Sequence, residues 1–274
     1  MKVKTAILPV AGLGTRVLPL SMHQPKAMIG IVDRPMIHYV MEEVAAAGIN
    51  NIIIVTGPDQ PEFQKYADYL RHDPAWPGSR LKIGFAVQEK PYGNGDAVFA
   101  AKKYLADEPF VVCFSDDLLA DNPPPLKTFV EVFEKVNAPL VMLEPVPQAL
   151  VSRYGVVKAQ KSELAKGLYA ISDVVEKPRA EEAPSNLTII GRYVLTPAIL
   201  EELSKLYPVN GKEIGLAEAL KNYAARGEKL YGWHFPGKRF DAGSKMGILK
   251  AQAYFGTRHR ELGEEFSGYL KDLV

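Results

Sequence analysis

Cysteine is nearly absent from this chain: of 274 residues, Cys113 alone carries a thiol. A single cysteine excludes an internal disulfide and a multi-cysteine zinc site, and it fits a reducing compartment. It lies in Phe110-Val111-Val112-Cys113-Phe114, an apolar run in which a plain strand residue is the natural reading. An excess of either charge is also missing. Lys and Arg total 33 against 32 Asp and Glu, for a formal net charge of +1 at pH 7. A chain so balanced does not bind nucleic acid through a broad basic field, and any anionic ligand must meet locally placed cations. Long apolar runs are lacking too. The stretch from Met1 to Ala11 imitates a basic leader with a short apolar core, but Arg16 and the polar segment from Ser21 to Lys26 interrupt it. No segment approaches the roughly 18 apolar residues of a membrane span. The stretch reads as a first buried strand, and the protein as cytoplasmic by default, with neither membrane nor nucleic acid as a partner. Fixed-period repeats, low-complexity segments and Gly/Ser linkers do not occur. With 47% apolar and 24% charged residues, the composition is that of a globular protein able to bury one large core or two modest ones.

What is present is a rhythm. Strands are expected at about 4–10, 51–56, 82–87, 110–115 and 139–144, separated by helical patterns at 35–48, 61–71, 94–105 and 126–137. This is the β-α-β alternation of a mostly parallel, doubly wound, Rossmann-like α/β sheet. Helix 35–48 shows the periodicity well: Met36, Ile37, Val40, Met41 and Val44 share one side, Pro35 sits at its first turn, and Gly48 stops it. After about residue 150 strand-like stretches at 154–159, 168–176 and 187–195 follow without full helices between them, which predicts a β-rich, partly antiparallel extension. Helices at 197–206 and 213–226, a strand at 229–235 and a helical stretch over 243–272 complete the chain. The expectation is one domain over 1–274, with halves at 1–150 and 151–255 and a tail at 256–274. Ligands of such sheets bind beyond the carboxyl ends of the strands.

The first strand runs into Ala11-Gly12-Leu13-Gly14-Thr15-Arg16. Glycine lets backbone N–H groups approach a phosphate chain, and such a nest needs no side-chain charge. A dinucleotide fingerprint would need a small residue where Val17 stands and a helix where Pro19 follows, and Asp33 is a weak stand-in for its ribose-binding acid. The Gly-Lys-Ser/Thr of a Walker loop is absent. A bland turn at a strand end is the remaining alternative. Against it stands Pro25-Lys26 in the same connection: Arg16 offers a planar fork for phosphate oxygens and Lys26 a movable point charge, a set that suits a triphosphate.

These residues resemble a known family. Pro9-Val10-Ala11-Gly12-Leu13-Gly14-Thr15-Arg16, Pro25-Lys26 and Ile31-Val32-Asp33-Arg34-Pro35-Met36-Ile37-His38-Tyr39 look like the bacterial UTP:glucose-1-phosphate uridylyltransferases, within the sugar-1-phosphate nucleotidyltransferases. Further matches run in order: Gln88 with Pro91-Tyr92-Gly93, Ser115-Asp116-Asp117, Tyr154-Gly155-Val156-Val157, Glu176-Lys177-Pro178, Ile190-Gly191-Arg192-Tyr193-Val194-Leu195, Gly211-Lys212-Glu213-Ile214 and Phe240-Asp241-Ala242-Gly243-Ser244-Lys245. Each piece is weak alone, and the ordered set is specific.

The resemblance implies a glycosyltransferase-A-like nucleotidyltransferase fold, with a nucleotide-binding half at 1–150 and a small β-rich sugar-phosphate half at 151–255. It implies a nucleoside triphosphate, UTP favoured, and a hexose 1-phosphate as partners, and transfer of the nucleotidyl group with loss of pyrophosphate. Mg²⁺ is the implied cofactor, held by Asp116 and Asp241, since magnesium takes one or two carboxylates plus substrate phosphates. Read locally, Asp117 is a near-equal candidate and Asp241 a turn acid; the resemblance favours Asp116. Arg16, Lys26 and Lys177 would hold the phosphates. Ala11, Gly12, Gly14, Thr15, Gln88 and Gly93 would bind the nucleotide, Gln88 offering a donor and an acceptor to a pyrimidine edge. Gly155, Glu176, Lys177 and Gly191 would bind the sugar phosphate. By themselves Gln88 reads equally as a surface residue and Glu-Lys-Pro as a surface turn.

The chain departs from its relatives in several places. Ala27 stands in place of a glutamate and Gly30 in place of a proline. Asp96 stands where close relatives have histidine, and reads either as a first-turn acid, favourable against the helix dipole, or as a ligand group. Gly215 replaces a glutamine, and segment 57–88 is short. A catalytically dead regulatory paralogue is the rival these departures suggest. Retention of Arg16, Lys26, Asp116, Lys177 and Asp241 opposes it. The tail, with Leu262, Phe266, Tyr269 and Leu270 at helical spacing, packs against the body or against a second copy in a homodimer or homotetramer.

Overall fold

The computed structural model describes residues 2–74, 76–121, 123–207 and 213–273. Four parallel strands build its first half: β1 (Thr5–Pro9), β2 (Asn51–Thr56), β3 (Lys82–Val87) and β4 (Phe110–Cys113), in the spatial order β3-β2-β1-β4. They are joined through α1 (Met36–Ala46), α2 (Glu62–His72) and α3 (Asn94–Ala100), and α4 (Pro125–Val136) follows. The near-continuous apolar run Ile52-Ile53-Ile54-Val55 is what a parallel strand covered on both faces requires. Side-chain alternation divides the core accordingly. Ala6, Leu8, Ile52, Ile54, Val111 and Cys113 face one layer with α1 and α4. Ile7, Ile53, Val55 and Val112 face the other, with α3. Cys113 is fully buried, and burial pushes its thiol up to about 12, so it is an inert strand residue as expected.

The second half adds β5 (Leu140–Pro145), β6 (Gly155–Lys161), β7 (Leu168–Glu176), β8 (Leu187–Leu195) and β9 (Tyr231–His234) to give one nine-stranded mixed sheet, in the order β3-β2-β1-β4-β8-β5-β9-β7-β6. β8 runs antiparallel to both β4 and β5, and β7 runs antiparallel to β9 and β6, so the expected antiparallel extension is present. Helices α5 (Pro197–Lys205) and α6 (Leu216–Ala225) cover the same face as α3.

Four features differ from the sequence reading. The helix expected at 94–105 ends at Ala100, and a separate 3-10 turn, Lys102–Tyr104, follows. The helix expected at 213–226 starts at Leu216, because residues 214–216 dock instead on Tyr92 and the first turn of α3: Ile214 N–H donates to Tyr92 O at 2.6 Å, Gly95 N–H to Ile214 O at 2.9 Å, and Leu216 N–H to Asn94 Oδ1 at 2.8 Å. Gly211 and Lys212 of the matched motif lie outside the described residues. The single helical stretch at 243–272 is two helices, α7 (Lys245–Gly256) and α8 (Gly263–Leu273). The break is held by His259, whose Nδ1 accepts from Glu261 N–H and Leu262 N–H at 3.2 Å while Nε2 meets Asp33 Oδ2 at 3.1 Å. Finally, two short ribbons were not foreseen, Gly30–Ile31 with Arg34–Pro35 and Asp117–Ala120 with Lys238–Asp241. Among the described residues no helix is long and apolar enough to cross a membrane.

Candidate active site

Beyond the carboxyl end of β1 the chain turns through Ala11 to Gly14. Gly14 has φ +63°, and Ser21 Oγ donates to its carbonyl at 2.8 Å, setting the turn ahead of Thr15–Val17, a single turn of 3-10 helix. The third such turn of this connection, Lys26–Met28, is anchored by buried Ala27. It carries Lys26 Nζ to 2.5 Å from Asp116 Oδ2, and Arg16 Nη2 lies 3.8 Å from the same oxygen. The two cations singled out in the first connection thus meet on one carboxylate from the end of β4. Arg16 remains largely exposed and Lys26 is mostly covered.

Asp116 and Asp117 are adjacent and have different surroundings. The Asp117 carboxylate is enclosed: Oδ2 accepts from Gly191 N–H at 2.7 Å and Oδ1 from Arg239 Nη1 at 2.6 Å. Arg239 also donates through Nε to Glu144 Oε2 at 2.6 Å. Burial raises the pKa of Asp117 against the pull of Arg239, with the charges of Asp116 and Asp241 adding to the rise. Burial also opposes the charged form of Asp116. There Lys26, as neighbour and hydrogen-bond donor, and then Arg16 outweigh it and hold its pKa below the ordinary value. Asp117 is therefore committed to the scaffold, and Asp116 faces the cations. Gly191 is the partner that this arrangement needs, since a Cβ there would sit 2.6 Å from Asp117 Oδ2.

Asp241 reaches the same place through the second ribbon. Register pairs Asp241 with Asp117, and Ala242 N–H donates to Asp116 O at 2.8 Å. Tyr154 Oη donates to Asp241 Oδ2 at 2.9 Å, and Gly243 N–H to Asp241 Oδ1 at 3.1 Å. Burial, with Asp241 beside it, pushes the Tyr154 hydroxyl up to about 12. A Cβ on Gly243 would lie 2.7 Å from Asp116 Oδ2 and 2.9 Å from Asp241 Oδ1, so the two carboxylates converge on one small gap. Two oxygen-donor carboxylates lining one cavity fit a hard divalent cation such as magnesium.

Gln88 follows β3 and is buried. Its Nε2 donates to Gly93 O at 2.9 Å and to Asp96 Oδ2 at 2.6 Å, and Tyr207 Oη donates to the other oxygen of Asp96. Asp96 lies in the first turn of α3, as one of its two readings had it, with its carboxylate turned onto these partners. Gly93 has φ +112°, and a Cβ there would fall 2.5 Å from Ile214 O, so glycine is required on both counts.

Across the acids from Gln88, Glu176 ends β7 in register with Gly155. Lys177 has φ +45°, and its N–H donates to Tyr154 O at 3.0 Å. Its Nζ lies 3.3 Å from Glu176 Oε1, both side chains being about half exposed.

Two cavities gather these residues. One of about 260 Å³ is lined by Ala11, Gly12, Lys26, Gln88, Gly93 and Asp116 among others. A second, of about 180 Å³, is lined by Arg16, Gly155, Glu176, Lys177, Gly191 and Asp241 among others. Asn94, Phe114 and Asp116 border both. Gly14 and Thr15 line neither and shape the turn. The sequence reading gave no role to Asn94, Arg153, Tyr154 or Tyr193, which also line these cavities, nor to Arg239. Tyr154 and Tyr193 stood inside matched motifs, whereas Arg239 carried no local signal.

A doubly wound sheet with a glycine turn, two cations and a carboxylate pair between two cavities is the arrangement of a nucleotidyltransferase. A model of the nucleotidyl transferase family matches residues 5–257, and the chain belongs to that family. The chain is similar to UTP–glucose-1-phosphate uridylyltransferase 2 of Streptococcus pyogenes, 36% identical over 290 aligned positions that take in 99% of this chain and 96% of that one. It is also similar to the UTP–glucose-1-phosphate uridylyltransferase of Staphylococcus epidermidis, 33% identical over 99% of both chains. Among solved structures, a UDP-glucose pyrophosphorylase complexed with UDP-glucose superposes with a TM-score of 0.85 at 35% identity, over 94% of this chain and 100% of the other. A UTP-bound UGPase from Acinetobacter baumannii gives 0.86 at 34% identity, over 99% and 100%.

Proposed function

We propose that this enzyme transfers the uridylyl group of UTP to glucose 1-phosphate, giving UDP-glucose and pyrophosphate. The observation that carries the reading is the pair of cavities meeting at Asp116, one against the glycine turn and Gln88, the other against Glu176 and Lys177. Together with full-length likeness to enzymes of that name, it supports two phosphorylated substrates placed end to end.

In this reading an oxygen of the sugar phosphate attacks the α-phosphorus of UTP, a new P–O bond forms, and the bond to the bridging oxygen of pyrophosphate breaks. The attacking oxygen is already anionic, so no covalent enzyme nucleophile and no strong base are needed. Catalysis consists of alignment and of charge neutralisation. The backbone at Ala11 and Gly12 approaches the triphosphate, with Gly14 and Thr15 holding that turn. Arg16 holds the departing pyrophosphate portion. Lys26 stabilises charge on the transferring phosphate, for which it leaves its contact with Asp116. Lys177 holds the sugar phosphate, while Glu176 accepts from sugar hydroxyls and Gly155 and Gly191 keep the backbone close. Gln88 reads the base and Gly93 leaves room beside it. Asp116 and Asp241 would hold Mg²⁺, which when bound supplies positive charge to the phosphates of both substrates. We further infer that the chain acts as one domain, since both cavities are built on one continuous sheet.

A panel of nucleoside triphosphates against sugar 1-phosphates, scored by pyrophosphate release with Mg²⁺ present, tests the reading. The highest kcat/KM is expected for UTP with glucose 1-phosphate. A higher value for another pair, or no turnover with any, overturns it.

A further inference from the structure

Gln88 is an amide, and an amide can face a base with either of its ends. In this protein only one end is free to do so. Both hydrogens of Nε2 are engaged, by Gly93 O at 2.9 Å and by Asp96 Oδ2 at 2.6 Å. Neither partner can donate: one is a backbone carbonyl and the other a carboxylate. Turning the amide over would set its carbonyl oxygen against two acceptors in a buried site. Asp96 is itself fixed, because its other oxygen accepts from Tyr207 Oη, and the Tyr207 ring packs on Phe99 with centroids 5.1 Å apart. Asp96 is not among the residues lining the cavity. It stands behind Gln88.

We propose that Asp96 is a specificity-determining positioning residue, which locks the Gln88 amide so that only its carbonyl Oε1 is offered to the nucleotide base. An acceptor at that point pairs with a ring N–H. Uracil and thymine carry one at N3, whereas cytosine has a lone pair at N3 and would meet an acceptor with an acceptor. The lock therefore selects bases that donate from the ring nitrogen and rejects cytosine, and a site with a buried hydrogen-bonding group can do so by large factors. The inference rests on the reading of Gln88 as the base contact.

The test is the ratio of kcat/KM for UTP to that for CTP, measured for the wild type and for the Asp96→Ala, Asp96→Leu, Asp96→Asn and Gln88→Ala variants. Thermal unfolding of each checks the fold. The wild-type ratio is expected to be about 100 or more. Asp96→Ala should lower it by about ten-fold or more, with the KM for the sugar phosphate unchanged. Asp96→Leu, which fills the position without an acceptor, carries the same expectation should the alanine variant be unstable. Asp96→Asn keeps an acceptor for Nε2, since the Tyr207 hydroxyl can turn to accept from the new amide, and should stay within about three-fold of wild type. A wild-type ratio in folded Asp96→Ala or Asp96→Leu overturns the lock, as does an Asp96→Asn ratio as low as theirs. If Gln88→Ala collapses the ratio while those two variants keep it, the lock alone fails. If Gln88→Ala itself keeps the wild-type ratio, the base-reading role of Gln88 fails, and the lock with it.

Discussion

Lys26 and Asp116 stand 90 positions apart in the chain and 2.5 Å apart in the fold, and that contact shapes what a substitution at either should do. In the proposed mechanism this carboxylate holds Lys26 in place until a phosphate displaces it. Removing a cation that acts on developing charge should cost rate more than binding. Lys26→Ala is expected to lower kcat by about 100-fold or more with modest change in either KM; steady-state kinetics that leave kcat near normal would remove Lys26 from its assigned role. The side chains assigned in this reading could be picked out from the glycine turn, Pro25-Lys26 and the acid pair. Local pattern did not separate Asp116 from Asp117, and only the resemblance favoured Asp116. In the fold the two differ through Arg239, 122 positions beyond Asp117, and Gly191 N–H, which engage Asp117, and no local pattern can announce partners that meet only through a sheet. Asp96 is similar: the helix first turn was readable, but its hold on Gln88 depends on side-chain directions and on Tyr207.

Among the elements, helix α1 and the parallel strands followed from their periods, whereas the break between α7 and α8 and the short ribbons did not. Helix α1 and the parallel strands announced themselves because burial on one or two faces imposes spacing over many residues. The ribbon of Asp117–Ala120 with Lys238–Asp241 has four residues a side, too few for a period to show, yet it brings Asp241 to Asp116. The glycine turn after β1 allows a prediction at this scale, by comparison with Gly191. At Gly12 a Cβ would meet nothing within 4 Å, whereas at Gly191 it would strike Asp117 Oδ2 at 2.6 Å and Phe114 Cβ at 2.9 Å. Gly12→Ala should therefore leave stability unchanged or raise it by up to about 1 kcal/mol, through the unfolded chain. It should also weaken UTP binding by about ten-fold or more, because the methyl occupies the space that the proposed mechanism gives to the phosphates. Gly191→Ala should instead lose about 1–3 kcal/mol of stability as the Asp117 carboxylate is displaced. Urea unfolding and calorimetric titration with UTP separate the two; equal destabilisation by both would show that the turn is structural only.

At the scale of the molecule, strand β8 decides how the halves behave. It lies between β4 of the first half and β5 of the second, pairing Arg192 with Cys113 and Ile190 with Met142. The Arg192 side chain is fully buried, with Nη2 2.6 Å from Glu43 Oε2 of α1 and bonds to Phe114 O and Asp117 O. Opening the second half therefore parts Arg192 from Glu43 and from two backbone carbonyls and uncovers the apolar side chains that β8 shares with β4 and β5, which is unfavourable. The expected consequence is cooperative unfolding, although the sequence shows a clear change of rhythm near residue 150. A ligand that touches only the first half should then stabilise both. UTP at 100 times its Kd contributes about 2.7 kcal/mol, which for a chain of this size raises Tm by roughly 5–10 °C. The expected calorimetric trace is one transition, moved as a whole by UTP. Two transitions of which UTP moves one would mean that the halves are separate units, and that the continuous sheet does not couple them.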